Sequence, residues 1–370
     1  MTHNDPVKTQ NVARDAVVDQ ALEVLVDLLP MGWKIERARE SAGVDDRVDL
    51  AVEDSSGIRQ PIVADIRLSV SPMELRRDYP GFSGVGSASD GGDPVLVVAP
   101  YLSPRSRVVL ENAAINYLDL TGNVRLAVSS PGLSILTEGA QRDPMPRARP
   151  DRGIAGVAAG RIVRALADIA PPYSVSELAS FADVSVGYCS RTLQVLEREA
   201  LVERDSGGTV RRVEWPAMLR RRGSAVPLND PRRTTAYIAR TGVHGVVDLL
   251  AGIDPDSYAI TGSFAAARMR AVAAPAGLVV YTARPDQLAT LLDLLPADQG
   301  ADVFLVVPAD DGVFTGSTVS NENRWVAPSQ VVVDCLGGWG RMPQEGEAVL
   351  EWMIEDESTW RTQKTEVETQ

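Results

Sequence analysis

Apolar positions along this chain change period several times, and each change predicts an element. From residue 12 to 29, Val17, Ala21, Val24, Leu25 and Leu28 fall on one helical stripe, which Pro30-Met31-Gly32 ends. Strand-like runs follow at Trp33 to Ala38, Val48 to Val52 and Pro61 to Val70. In the last of these, Ile62, Ala64, Ile66 and Leu68 alternate with Val63, Asp65, Arg67 and Ser69, which puts Asp65 and Arg67 on one face. A Gly/Ser-rich loop from Gly81 to Gly92 precedes a buried-strand run at Val95 to Ala99 and a helix from Pro104 to Ala114. Gly122-Asn123 then supplies a hairpin turn between two alternating strands. Helices mixed with strands in this order predict an α/β domain over residues 1–139.

Residues 140–153, AQRDPMPRARPDRG, have no apolar period and read as a linker. The helical stripe Ile162, Leu166, Ile169 follows, stopped by Pro171-Pro172. The spacing after it predicts a short helix (Val175 to Phe181), a tight turn at Ala182-Asp183, a second helix (Val186 to Ala200) and two strands around Gly207-Gly208. Ser185 is placed to cap the second helix, since its hydroxyl can accept a backbone N–H that the first turn leaves unpaired. Cys189, Leu193 and Leu196 make that helix's buried stripe, which leaves Gly187, Tyr188, Ser190, Arg191 and Gln194 on the opposite side. Arg191 suits guanine O6 and N7, Gln194 suits adenine N6 and N7, and Ser190 and Tyr188 suit phosphate oxygens. Arg204, Arg211 and Arg212 flank the Gly-Gly turn and would carry positive charge toward a nucleic-acid backbone. A further basic run, Arg220 to Arg222, reads either as an extension of this surface or as a solvated linker.

Residues 154–222 are therefore expected to form a winged helix-turn-helix. The stretch VSELA…VSVGYCSRTLQVLEREALVER, from Val175 to Arg204, also resembles winged helix-turn-helix transcription regulators. That resemblance implies major-groove docking on double-stranded DNA, in such families often as a dimer.

Charge refines the picture. The 370-residue chain has a formal net charge of -13, yet residues 147–222 hold thirteen Arg and nine Asp or Glu, a surplus of four, so the remainder carries -17. An acidic body with one basic module suppresses non-specific binding and keeps a local footprint. Two cysteines and two histidines, Cys189, Cys335, His3 and His244, are scattered, so no metal site and no cofactor are expected, and Cys189 reads as a core residue. No apolar run reaches spanning length and no signal pattern opens the chain, which makes a cytoplasmic protein the expectation.

Strand and helix signals alternate again over residues 230–355, and residues 356–370 read as a disordered tail. Gly262-Ser263 has the look of a nucleotidyltransferase phosphate turn, but the next strand, LVVYT, has no acid to hold the metal, so a plain strand-to-helix turn is expected. YAITGSFAAA together with PSQVVVDCLGGWGRMPQEGEAVLEWM resembles the C-terminal domain of AbiEi-type antitoxins, over roughly residues 155–355. Such a resemblance implies autoregulation of an operon and a cognate toxin as partner.

The first domain resembles the restriction-endonuclease-like fold, with Asp49 and Asp65 in the acidic positions and Arg67 where Lys is expected. An active member would hold Mg²⁺ with the two carboxylates. Arg is effectively never deprotonated, so it replaces a catalytic Lys poorly, and Asp65 with Arg67 reads first as an ion pair. The reading as a whole is an α/β multidomain, sequence-specific DNA-binding regulator without enzymatic activity. Its alternative is a Mg²⁺-dependent nuclease targeted by the winged helix.

Overall fold

The computed structural model describes residues 6–38, 47–80, 93–145, 154–275 and 277–364. The Gly81 to Gly92 loop and most of the Arg-rich linker lie outside them. The chain is mixed α/β and divides into two compact units, residues 1–150 with 198–200, and residues 151–197 with 201–370.

The first unit runs α1 (Pro6–Leu28), β1 (Lys34–Arg37), β2 (Arg47–Glu53), β3 (Arg59–Ile66), α2 (Pro72–Asp78), β4 (Val95–Ala99), α3 (Pro104–Asn112), β5 (Asn116–Asp119), β6 (Val124–Val128) and β7 (Leu133–Thr137). All seven strands form one sheet in chain order. Pairing is antiparallel from β1 to β3, parallel from β3 to β5 and antiparallel from β5 to β7. Alternation on the strands divides the apolar residues between the faces. Leu50, Ile62, Ala64, Leu96 and Val98 pack with Leu25 and Val18 of α1, while Val97 and Tyr117 pack with Leu75 and Leu110 of α2 and α3. The expected hairpin is present, with Gly122 at φ +98 and the buried Asp119 accepting from the backbone and side chains of Thr121 and Asn123. Helix α2 was not anticipated, although Ser71 and Glu74 form a capping box.

The second unit begins with α4 (Val157–Asp168), β8 (Ile169–Ala170), α5 (Val175–Phe181), α6 (Val186–Arg198), β9 (Val202–Arg204), β10 (Val210–Val213) and α7 (Trp215–Gly223). It continues with β11 (Thr234–Ala239), α8 (Gly242–Leu250), β12 (Tyr258–Thr261), α9 (Gly262–Met269), β13 (Leu278–Thr282), α10 (Pro285–Leu291), β14 (Leu294–Pro296), β15 (Val303–Val306), β16 (Thr318–Ser320) and β17 (Asn323–Trp325). Helices α11 (Pro328–Leu336) and α12 (Met342–Glu355) and the short β18 (Thr362–Gln363) close it. Its mixed sheet has the order β14-β11-β15-β13-β12-β17-β16.

Residues 154–222 and 230–355, expected as two domains, lie in one compact unit, whose continuous core runs from Ile154 and Leu166 through Trp215 and Met218 to Val331 and Met353. The Arg220 to Arg222 run is no linker: it is the last turn of α7, whose Trp215, Met218 and Leu219 are buried at helical spacing. The expected tail, residues 356–370, is described to Lys364 and packs on this unit. Its β18 pairs with β8, Trp360 meets Trp215 edge-on at 4.9 Å, and Lys364 binds Glu177 at 2.6 Å.

Gly262 is the strand-to-helix turn expected, at φ +65 with Val279 and Met342 around it. Its neighbours are committed within the fold: the Ser263 hydroxyl donates to Glu345 at 2.5 Å and that of Thr261 to Asp334 at 2.6 Å. Among the described residues no helix is long and apolar enough to cross a membrane.

Candidate nucleic-acid interface

Helix α5 starts on a full capping box, in which Ser174 accepts from the Glu177 backbone and Glu177 accepts from that of Ser174 at 2.7 Å. The turn after it uses Asp183 at φ +49, a left-handed position that Asp tolerates better than most residues. Ser185 then caps α6, accepting from the Tyr188 N–H at 3.3 Å as its position predicted. Cys189, Leu193 and Leu196 are buried along with Thr192, whose hydroxyl turns back to the Tyr188 carbonyl at 3.1 Å. Burial pushes the Cys189 thiol up to about 11, so it is a neutral core group.

The opposite face of α6 is open. Ser185, Gly187, Arg191 and Gln194 are exposed, and Tyr188 and Ser190 are half-buried. The Arg191 guanidinium lies 5.9 Å from the centre of the Tyr188 ring, and among the described residues it has no carboxylate partner. Its five donors are therefore available to an acceptor outside the chain.

Strands β9 and β10, expected as a wing, pair antiparallel with a bulge between Val210 and Arg212, and Tyr173 adds an antiparallel bridge to Val210. The tip is fixed by Asp205, which accepts from the Gly207 and Thr209 N–H groups at 3.0 Å, and by Gly208 at φ +84. The wing arginines do not stand alone as the sequence suggested. Arg204 is bidentate with Glu197 and mostly covered, while Arg211 pairs with Asp205 and Arg212 with Glu214, each at 2.8 Å. Arg211 and Arg212 keep exposed side chains and can exchange a surface carboxylate for a phosphate at small cost. Arg204, expected among the DNA contacts, is held in its geometry by two hydrogen bonds to Glu197. Arg220 pairs with Glu347 at the surface, and Arg222 donates to the carbonyls of Ile154 and Gly156.

In the first unit, Asp49 faces Val63 and Arg47 faces Asp65 across β2 and β3, so Asp49 and Asp65 share one sheet face. That much matches the sequence pattern. Asp65 is 2% exposed and both its oxygens are engaged, by the Arg67 Nε and Nη2 at 2.8 Å and by the Tyr79 hydroxyl. Arg67 also reaches Asp78 at 3.1 Å, so the group ties the end of β3 to the end of α2. The neighbouring Asp65 holds the Arg67 guanidinium above its ordinary range, and burial followed by the Asp65 hydrogen bond pushes the Tyr79 phenol up. Among the described residues no three or more His, Cys, Asp or Glu are grouped to hold a metal ion. To hold Mg²⁺, Asp65 would have to give up Arg67 or Tyr79.

No family model and no curated protein matches the chain. Among solved structures there is a match to the apo form of the endonuclease EndoMS, at 14% identity and a TM-score of 0.15, covering 32% of this chain and 47% of that one. The chain thus spans about half the length of the protein it matches. The expectation that the chain is not an enzyme has no support from this match, whose counterpart is EndoMS. At that TM-score the likeness carries no argument about fold or chemistry.

Proposed function

We propose that this chain binds double-stranded DNA through α6 and its wing, reads base sequence there, and regulates transcription. The observation that carries this reading is the capped α6 with Arg191 and Gln194 exposed on the face opposite its buried stripe. Those two side chains have the bidentate geometry for guanine and adenine edges, and the exposed wing arginines suit the backbone. Selection of duplexes from a randomised pool by the full chain tests it: an enriched motif that Arg191→Ala loses supports the reading, and no enrichment above the starting pool removes it. The AbiEi-like resemblance of residues 155–355 adds a cognate toxin as a second proposed partner, tested by co-purification with the product of the adjacent reading frame. A homodimer on a two-fold site belongs to the same proposal.

A second reading has one observation in its favour. The first unit, which we read as restriction-endonuclease-like, brings Asp49 and Asp65 to one face of adjacent strands. Incubation of supercoiled and linear DNA with the protein and Mg²⁺ or Mn²⁺ decides it. Cleavage that Asp65→Ala abolishes supports a nuclease, and intact DNA under all these conditions removes that reading.

A further inference from the structure

The second unit contains a cavity of about 590 Å³, within the range that takes a metabolite-sized ligand. Its wall comes from α4, α7 and the turn after it, β13 and α11. Five arginines line it, Arg161, Arg164, Arg222, Arg232 and Arg233, against three aspartates, Asp230, Asp310 and Asp334.

The carboxylates are already taken. Asp310 binds Arg161, Asp230 binds Arg232 at 2.8 Å with Arg233 at 3.8 Å, and Asp334 accepts from Thr261, Tyr281 and Gln330. Two cations are left over. Arg164 is 7% exposed, its Nε has no hydrogen-bond partner, and its one bond is from Nη1 to the Gln330 side-chain oxygen at 3.1 Å. Arg222 donates to the Ile154 and Gly156 carbonyls, and among the described residues neither guanidinium has a carboxylate at ion-pair distance. Burial depresses both, and in Arg222 the charge of Arg164 adds to burial to bring it down to about 10. Arg164 is buried and Arg222 half-buried, and a buried guanidinium with most donors unused is costly unless an anion completes it. The backbone leaves room for both groups: a Cβ at Gly160 would collide with the Arg222 guanidinium, and one at Gly312 with that of Arg164.

We propose that this cavity binds a small molecule through an oxyanion group, phosphate or carboxylate, held between Arg164 and Arg222. The volume exceeds that of a bare ion, and Val157, Val226 and the Tyr281 ring offer apolar wall for the remainder of the ligand. The inference does not rest on the DNA-binding reading, and its test uses no DNA.

The full chain is melted with inorganic phosphate, pyrophosphate, ATP or citrate at up to about 10 mM, with adenosine as the neutral control. The expected result is a saturable rise in Tm with at least one oxyanion and none with adenosine; phosphates against citrate separate the two sources of the oxyanion. Arg164→Gln and Arg222→Gln each weaken that oxyanion at least tenfold, while Arg191→Ala on the reader face leaves it unchanged. Val157→Trp narrows the cavity from a position 43% exposed and keeps both arginines, so it tests the site even if an arginine variant fails to fold. Absence of any rise across the panel overturns the proposal. So does a rise that survives Val157→Trp and whichever arginine variants fold.

Discussion

Replacing Arg191 by Ala separates reading of bases from general attraction to DNA, and the structure sets the size of the effect. Arg191 is exposed, lies over Tyr188 and has no carboxylate partner among the described residues, so the proposed bidentate contact with a guanine would appear whole in the measured affinity. That contact is worth about 1–3 kcal/mol, or roughly a 5- to 150-fold loss on the preferred duplex. A duplex already changed at that base pair should bind the variant as it binds the parent. Arg204→Ala is the internal control. Its guanidinium is committed to Glu197, so affinity should change by less than about twofold, whereas loss of the partly covered pair should lower stability by about 1 kcal/mol. The assay is fluorescence anisotropy with the selected duplex and its single-base variants, alongside urea unfolding of each protein. Equal losses by Arg191→Ala on all duplexes, or a loss of affinity in Arg204→Ala as large as in Arg191→Ala, would refute the assignment.

Ending the chain after Asp356 should lower stability by about 2–3 kcal/mol in urea melts, because it removes Trp360 from the Trp215 edge and Lys364 from Glu177; an unchanged midpoint would show that this segment contributes nothing. Ser174→Ala should cost about 1 kcal/mol through the lost capping box. Burial raises the Asp334 carboxyl to about 6, against hydrogen bonds from Thr261, Tyr281 and Gln330 and the nearby Arg164 charge that lower it. A folded-state value above the unfolded one means the native state binds the proton more tightly, so this group's contribution to stability falls as pH rises from about 4 to 6 and is constant above, by up to about 3 kcal/mol. Asp168 is pushed the same way by burial, so Asp334→Asn should flatten about half of their combined pH slope in urea titrations, and an unaltered slope would contradict the assignment. Glu177, drawn down to about 2 by Lys364 and the Ser174 cap, works in the opposite sense: its contribution is present above pH 4.5 and fades as pH falls toward 2.

What the sequence made legible was local. Capped helix starts, the α6 stripe, the Gly122-Asn123 hairpin and the β4 run are set by contacts within a few residues, and they stand where periodicity placed them. Helix α7 was missed because three consecutive arginines masked Trp215, Met218 and Leu219 at helical spacing, a signal that was present. Trp360 was likewise the available clue to the ordered C-terminal segment. The Asp334 cluster and the cavity beside Arg164 were beyond reach, since Thr261, Tyr281 and Gln330 converge on one carboxylate only after the sheet and α11 have packed. Asp65 shows the same limit from the other side. Its position in an acid-x-Arg pattern was readable, but its engagement by Tyr79 depends on a helix the pattern did not reveal.

On the proposed DNA-binding reading, counting arginines overstates the charge available to phosphates, and that leads to a measurable slope. Of the thirteen Arg in residues 147–222, Arg147, Arg149 and Arg152 lie outside the described residues, Arg161 and Arg204 are engaged by carboxylates, Arg164 and Arg222 lie within the second unit, Arg198 and Arg221 are engaged as well, and Arg220 pairs with Glu347 at the surface. On the exposed face of α6 and the β9–β10 hairpin, among the described residues, this leaves Arg191, proposed to meet bases, and Arg211 and Arg212, whose exposed pairs with Asp205 and Glu214 a phosphate can displace. Each phosphate neutralised on B-DNA contributes about 0.9 to the fall of log K with log salt, so two to three such contacts give a slope of about -2 to -3 for one copy of the chain. Arg211→Ala should reduce its magnitude by about 0.9 on every duplex alike, whereas Arg204→Ala should leave it unchanged. A slope several times steeper for a monomer would mean that arginines beyond these three also meet phosphates, and the interface proposed from α6 and the β9–β10 hairpin alone would then be wrong.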